Sequence, residues 1–355
     1  MSRGTTRPRG RSFEQDLRRE VNAVPVGSRI PSIRELRSRY SVGQAAVERA
    51  VARLSQQGMI EVRPKSGIYR SATPAGPISV IYRSRDMEFD RSGGYYADFV
   101  THLMAELARA GHVVRFLSTE DDQEFATIVR RINRNHERAV TFALKWSDVD
   151  TVTAQAGMGS SFIHVLPNFV ETIDNSIILN DRDIVRLQME HLMERGHRAI
   201  AYLHGYVENK WSRAAFQRYN AFRDYVLDHK LELAEAMLRP SGINGVDTHD
   251  VILEMHRQGP PPTAIVINSD VCVRDAYRAL RTLGREPGKD VAVVSVNNRP
   301  WCDFVEPGLT SVDISPRRGA EAVTRVLSKL EVGEPVSNQV LEARLIVRPS
   351  SDVHL

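Results

Sequence analysis

The sequence predicts a multi-domain α/β protein: a small, basic, helix-rich unit followed by a body of doubly wound parallel sheet. Three observations carry this. Residues 1–76 hold 15 Lys/Arg against 6 Asp/Glu, a net of +9, whereas the remaining 279 residues hold 33 against 38, a net of −5. Between these parts lies Ser71–Pro77 (SATPAGP), a small, uncharged, Pro/Gly-bearing stretch that can continue neither a helix nor a central strand. Beyond it, apolar runs of four to six residues alternate with amphipathic segments, the pattern of strands buried on both faces by helices. At 355 residues the chain has room for two or three domains of about 100–200 residues each.

In the body, strands are expected at 78–82, 112–117, 139–144, 161–165, 176–179, 199–203, 263–267 and 291–296. Helices are expected at 95–110, 121–135, 147–157, 181–195, 212–230 and 270–283. In the 95–110 segment Tyr96, Phe99, Val100, Leu103, Met104 and Leu107 recur at helical spacing, and Gly111 stops the run. Its broad apolar face makes it the candidate contact with a second copy, or else ordinary core. In 181–195 Asp181 or Asp183 is the expected cap, Ile184, Leu187 and Leu192 the buried side, and Gly196 the end.

In the basic unit, Phe13–Val21 predicts a short helix. Ser32 with Glu35 three residues on forms a capping box that opens a second. After the turn at Ser41–Gly43, Gln44–Gln57 predicts a third helix, with Ala46, Val47, Ala50, Val51 and Leu54 on its packing side. Gly58 ends it, and strands at Met59–Val62 and Ile68–Arg70 flank a tight basic turn, Arg63–Gly67. Helix, turn, helix and hairpin are the order of a winged helix-turn-helix. Concentrated positive charge on such a unit fits a polyanion partner.

The run Gly27–Leu36 (GSRIPSIREL), with Tyr40, Val42, Val47, Ala50, Leu54, Gly58–Ile60 and Gly67 after it, resembles the GntR-family DNA-binding domain over about residues 9–72. The resemblance implies that the third helix enters the major groove and the wing lies along the backbone or minor groove. It assigns DNA contact to Arg34, Gln44, Arg49, Lys65 and Gly67. Three positions depart from the family pattern: Gly43 stands for a typical Ser, Ala46 for a Thr, and Glu48 for a residue that is commonly basic. Gln at position 44, where Arg is usual, favours an adenine edge rather than guanine.

The body resembles the effector domain of LacI-family repressors, which is similar to periplasmic sugar-binding proteins. The matching stretches are His191–Ala201 (HLMERGHRAIA), Arg218–Phe222 (RYNAF), Pro262–Asp270 (PTAIVINSD), Pro307–Val312 (PGLTSV) with Gly319, and Leu345–Ser350 (LIVRPS). The resemblance implies two lobes joined by three crossover strands, with a ligand between them. The domains are then 9–72, a linker at 73–77, and a sensing domain at 78–350. Implied effector residues are Arg218, Asp270, Asn297 and Asn298, with Trp211 and Trp301 as stacking candidates; Arg218 and Asp270 are alternatively a structural pair. Asn297-Asn298 replace the family's usual two carboxylates with amides that both donate and accept.

Taken together, the expected function is a ligand-responsive, sequence-specific transcriptional regulator, a repressor released by a small sugar-like effector. It is expected to act as a cytoplasmic homodimer on double-stranded operator DNA, with no membrane partner. The rival expectations are an enzyme with a DNA-binding appendage and an effector-blind architectural DNA binder. No catalytic residue, cofactor or metal is expected. Cys272 and Cys302 form no CxxC pair, His191 and His197 lack a third ligand at metal spacing, and Gly157–Gly159 lacks the spacing of a dinucleotide loop. No apolar run reaches the roughly 20 residues of a membrane span, and the basic N-terminus has no apolar stretch of the secretory kind behind it.

Overall fold

The computed structural model describes residues 13–25, 27–56, 58–71, 77–83, 94–135, 137–145, 162–167, 173–205, 213–231, 237–241, 247–331, 334 and 336–355. The expected helix at 147–157, Gly157–Gly159, Trp211 and most of the 73–77 linker lie outside these residues.

The head contains α1 (Phe13–Ala23), β1 (Arg29–Ile30), α2 (Ile33–Tyr40), α3 (Gln44–Gln56), β2 (Ile60–Arg63) and β3 (Gly67–Arg70). The capping box forms as expected: Glu35 N donates to Ser32 Oγ at 3.3 Å, and Ser32 N donates to Glu35 Oε2 at 2.7 Å. Ser41, at φ 54°, closes α2 in the left-handed conformation. Leu17, Val21, Leu36, Val47, Ala50, Val51 and Leu54 bury the shared faces of the three helices, together with Ile30, Ile60 and Ile68 of the strands. The antiparallel hairpin β2–β3 is the wing. The unexpected two-residue β1 pairs with β3 and makes the order β1-β3-β2.

The body has two six-stranded sheets. The first lobe comprises β4 (Ile78–Arg83), β5 (Val114–Thr119), β6 (Arg138–Phe142), β7 (Phe162–Val165), β8 (Ser176–Leu179) and β14 (Gln339–Leu341). Their order is β14-β8-β7-β6-β4-β5, parallel throughout. Helices α4 (Tyr95–Arg109), α5 (Asp122–Asn135) and α10 (Pro316–Glu331) belong to this lobe. The second lobe has β9 (Ile200–His204), β10 (Leu238–Pro240), β11 (Ala264–Ile267), β12 (Ala292–Val296), β13 (Thr310–Asp313) and β15 (Arg344–Ile346). Their order is β10-β9-β11-β12-β13-β15, with only β15 antiparallel to its neighbour. Helices α6 (Asp181–Glu194), α7 (Arg213–Asp228), α8 (Thr248–Gln258) and α9 (Val273–Thr282) complete the described part of this lobe.

The alternation of apolar runs has a direct structural cause. Along β9 and β11, Ala201, Leu203, Ile265 and Ile267 enter one core while Ile200, Tyr202, Ala264 and Val266 enter another. Both faces are dry, so Ile200–Leu203 and Ala264–Ile267 read as near-continuous hydrophobic runs. The chain crosses between lobes three times, at Asn180, at Ile314–Ser315 and at Glu342–Ala343. Doubly wound lobes joined by three crossings are the architecture that the body's motifs imply.

Several expectations are corrected. Strand 112–117 runs instead from Val114 to Thr119; β5 is an edge strand, and its apolar Phe116 is 42 % exposed. Asn180, rather than Asp181 or Asp183, caps α6, its side chain accepting from Asp183 N at 3.2 Å. Helix 270–283 begins as a 3-10 turn, Asp270–Cys272, before α9. The apolar face of α4 is also not free for a second copy: Phe99, Leu103 and Leu107 are sealed in the lobe core, and α4 packs along α10. The close approach is made at Gly319 of α10, where a Cβ would sit 2.2 Å from Phe99 Cε2.

Two predictions follow from this packing. Alanine at Gly319 gains about 1 kcal/mol of helix propensity, but overpacking against a sealed Phe99 costs roughly 1–3 kcal/mol. Gly319→Ala should therefore lower the thermal midpoint of the body, and adding Phe99→Leu should restore part of the loss.

The second concerns acid. His164, whose Nδ1 lies 2.8 Å from Thr141 Oγ1, is pulled down to about 4 by burial. His191 is also pulled down to about 4, chiefly by burial. Both imidazoles stay neutral in the folded chain while their unfolded counterparts protonate near 6.5, so stability drains away as pH falls from about 6.5 toward 4. Thermal midpoints measured across that window should fall, and His164→Gln should flatten the fall; an unchanged slope would remove His164 as a contributor.

Candidate DNA-reading face and interlobe ligand site

On the head, Arg34 lies in the first turn of α2 and Arg49 on the outer side of α3; both are exposed. Neither forms an ion pair among the described residues. Arg53, one turn beyond Arg49, donates to Glu14 Oε2 of α1 at 2.7 Å and so ties two helices together. Gln44 opens α3 with both ends of its amide engaged: Arg37 donates to its Oε1 at 3.2 Å, and its Nε2 donates to Glu48 Oε1 at 2.8 Å. Lys65 stands at the wing tip at φ 61°. Gly67 has φ 125°, a conformation side chains rarely adopt, and a Cβ there would meet Arg29 Nε at 2.9 Å, so a larger residue would be strained and would displace the Arg29 side chain. Arg63 lies over the Tyr69 ring, 4.5 Å from its centroid, which stiffens the wing. The head thus presents Arg34, Arg49 and Lys65 as cations not spent on internal pairs, beside the fixed Arg37–Gln44–Glu48 chain.

In the body, the polar candidates follow the carboxyl ends of the second lobe's strands, where ligands of doubly wound sheets bind. Non-glycine residues in the left-handed region gather at such ends in both lobes: Ala143 (φ 48°), Leu166 (φ 47°), Asn297 (φ 107°) and Asn298 (φ 51°). Backbone strain of this kind is held where the surrounding structure over-determines it, often at ligand sites.

Arg218 pairs not with Asp270 but with Asp181, its Nε donating to Oδ1 at 2.9 Å; Arg213 donates to the other oxygen at 3.1 Å. Asp181 is buried at the start of α6, just after the first crossing, and burial raises its carboxyl against the opposing pull of the two guanidiniums. The terminal nitrogens of Arg218 form no hydrogen bond among the described residues, so its fork keeps donors to offer.

Asp270 is fully buried. Its Oδ1 accepts from Ser311 Oγ at 2.7 Å and its Oδ2 from Arg299 N at 2.8 Å, while burial raises its carboxyl. Asp270 therefore shapes the loop after β12 from beneath. Asn297 Nδ2 donates to Ser269 Oγ at 3.1 Å, and Asn298 N donates to Ser311 Oγ at 3.0 Å. The buried Oδ1 of Asn298 has no hydrogen-bond partner among the described residues. Trp301 donates weakly to Asp270 O at 3.4 Å, and its ring lies 5.2 Å from the Arg299 guanidinium.

Five contributors escape the sequence reading: Arg299, Asp98, Tyr95, Asn268 and Asp181. Arg299, nearly sealed, reaches across the lobes and donates to Asp98 Oδ2 of α4 at 2.5 Å. Tyr95 OH, also of α4, donates to Ile314 O at the second crossing at 3.1 Å. Asn268 Nδ2 donates to Ser241 O at 3.0 Å, joining the ends of β11 and β10. Asp181 looked like a helix cap. No local signal marks Asp98 or Arg299, because their meeting depends on the fold of both lobes. The paired histidines prove separate: His191 bonds Ser351 Oγ at 2.7 Å, while His197 bonds Thr263 Oγ1 at 3.0 Å and Val353 O at 3.1 Å, together pinning the C-terminal segment. No group of three His, Cys, Asp or Glu among the described residues could hold a metal ion. No described helix is long and apolar enough to cross a membrane.

Comparison with known proteins matches these two regions separately. Residues 11–69 match the model of bacterial regulatory proteins of the gntR family, and residues 189–351 match a periplasmic binding protein-like domain. The chain is 28 % identical over 207 residues to the lactose operon repressor of Escherichia coli (strain K12), covering 58 % of this chain and 56 % of that protein. It is 25 % identical over 169 residues to the HTH-type transcriptional repressor PurR of Glaesserella parasuis serovar 5 (strain SH0165), covering 45 % and 49 % respectively. The chain thus spans about half the length of the curated relatives it matches. Among solved structures, the lac repressor dimer bound to operator and an anti-inducer superposes with TM-score 0.66 at 22 % identity, over 79 % of this chain and 95 % of that one. The chain accordingly joins a segment that matches the gntR-family model to one that matches a periplasmic binding protein-like domain, and its fold is that of the lac repressor core.

Proposed function

We propose that this chain is a ligand-controlled transcription regulator, a repressor whose head binds operator DNA and whose interlobe site binds a small sugar-like effector. The observation that carries the reading is the union, in one chain, of a winged head with unspent cations and a two-lobed body with polar groups at its strand ends. Arg34, Arg49, Lys65 and the backbone at Gly67 serve DNA contact, with Gln44 reading a base edge. Arg218, Asn297, Asn298 and Trp301 serve the effector, with Trp211 beyond the described residues; Asp270 positions them.

Two heads are required to meet two half-sites about 34–36 Å apart, hence a homodimer, working in the cytoplasm where operator DNA is. The effector acts only if it binds the lobes' two arrangements with different affinity. By linkage, DNA must then change effector affinity by the same factor.

The test uses the full chain and a duplex selected by it from random DNA. Arg34→Ala with Lys65→Ala should weaken DNA binding at least tenfold. It should also make the salt dependence shallower, by about 0.9 in log–log slope for each lost phosphate contact. Unchanged affinity would sink the docking of the head. Arg218→Ala should keep DNA affinity but lose the thermal shift that a sugar or sugar acid gives the unaltered protein; a retained shift would remove Arg218 from the site.

A further inference from the structure

The outward side of α3 is formed by Gln44, Ala45, Glu48, Arg49, Ala52 and Arg53, all exposed. Two of these are short alanines and Arg53 is held by Glu14, so the groups able to reach a base edge are Gln44, Glu48 and Arg49. A carboxylate here is costly for a helix that must approach phosphates, since it opposes the attraction that drives binding. Yet Glu48 is not a loose surface charge. Its Oε1 accepts from Gln44 Nε2 at 2.8 Å, and Gln44 Oε1 in turn accepts from Arg37 NH1 at 3.2 Å. The chain Arg37–Gln44–Glu48 links the amide to the carboxylate and biases both toward this arrangement before any partner arrives. Glu48 Oε2 takes part in no hydrogen bond among the described residues and remains able to accept.

We infer that Glu48 is a specificity-determining residue that selects cytosine. The inference rests on the reading of α3 as the helix that enters the major groove. An ionised carboxylate only accepts hydrogen bonds. In the major groove guanine presents N7 and O6 and thymine presents O4, all acceptors that repel it; adenine offers its N6 amino group only beside the acceptor N7. Cytosine offers its N4 amino group without that neighbour. Gln44, whose amide keeps one donor and one acceptor position to spare, suits an adenine on the adjoining step. The departure from a basic residue at position 48 thus trades phosphate affinity for discrimination at one base pair.

The experiment is selection of duplexes from a random pool by the full-length protein and by two variants at this exposed position, Glu48→Ala and Glu48→Gln. The unaltered protein should enrich a motif containing a cytosine favoured about tenfold over other bases. Glu48→Ala should flatten that one position and leave the others intact. Glu48→Gln should shift it toward adenine. A motif identical in the unaltered protein and both variants overturns the role of Glu48 while leaving the head a DNA reader. Failure of the unaltered protein to enrich any motif overturns the DNA-reading assignment itself, and this inference with it.

Discussion

A guanidinium withdrawn from water needs an anionic partner, and that constraint organises the body. Arg299 is nearly sealed, and the carboxylate that answers it, Asp98, belongs to the other lobe. Its backbone N–H is held by buried Asp270, which also holds Ser311. The loop carrying Asn297 and Asn298 is therefore braced from below by Asp270 and from across the lobes by Asp98. The guanidinium end of this pair is buried while the Asp98 side chain is 43 % exposed, so the pair adds a solvent-weakened link between the lobes rather than a sealed one. Most core residues sort into clusters that lie within one lobe, but one cluster of the first lobe reaches across at Ile184, Val296, Val312 and Ile314. The lobes are thus distinct bodies whose mutual position is set at a few places.

The same economy of charge explains the head. Arg53 is consumed by Glu14, and Arg39 and Tyr40 by Glu20, which fastens α1 to the other two helices. Among the described residues, Arg34, Arg49 and Lys65 are cations without an ion pair, and they lie at the start of α2, on the outside of α3 and at the wing tip. A basic sequence does not itself distinguish these classes; the distinction appears only when the helices are packed.

Much of the architecture was legible because it rests on local rules. Ser32 and Glu35 announced α2 through their spacing, and dry strands such as Ala264–Ile267 announced a sheet covered on both faces. The last part of the body was harder to read. β14 and β15 have three residues each and carry no periodicity, and β1 has only two. α8 and α10 do have helical spacing, through Ile252 and Met255 and through Ala320, Val323 and Leu327, yet neither is among the expected helices. At the candidate site, residue types and strand ends single out Asn297 and Asn298, which follow β12, while Arg218 lies in α7. Partners remained hidden: Asp181 lies 37 residues before Arg218, and Asp98 lies 201 before Arg299. Such pairs are set by topology and leave no pattern in a window of sequence.

The Arg299–Asp98 pair is a charged link between the lobes, and its removal asks how far charge sets their arrangement. The most direct test places one spin label on an exposed site of each lobe and measures their separation in the unaltered chain and in Asp98→Asn. Loss of the carboxylate should broaden the distance distribution and shift its mean. Superimposable distributions in the two proteins would contradict it.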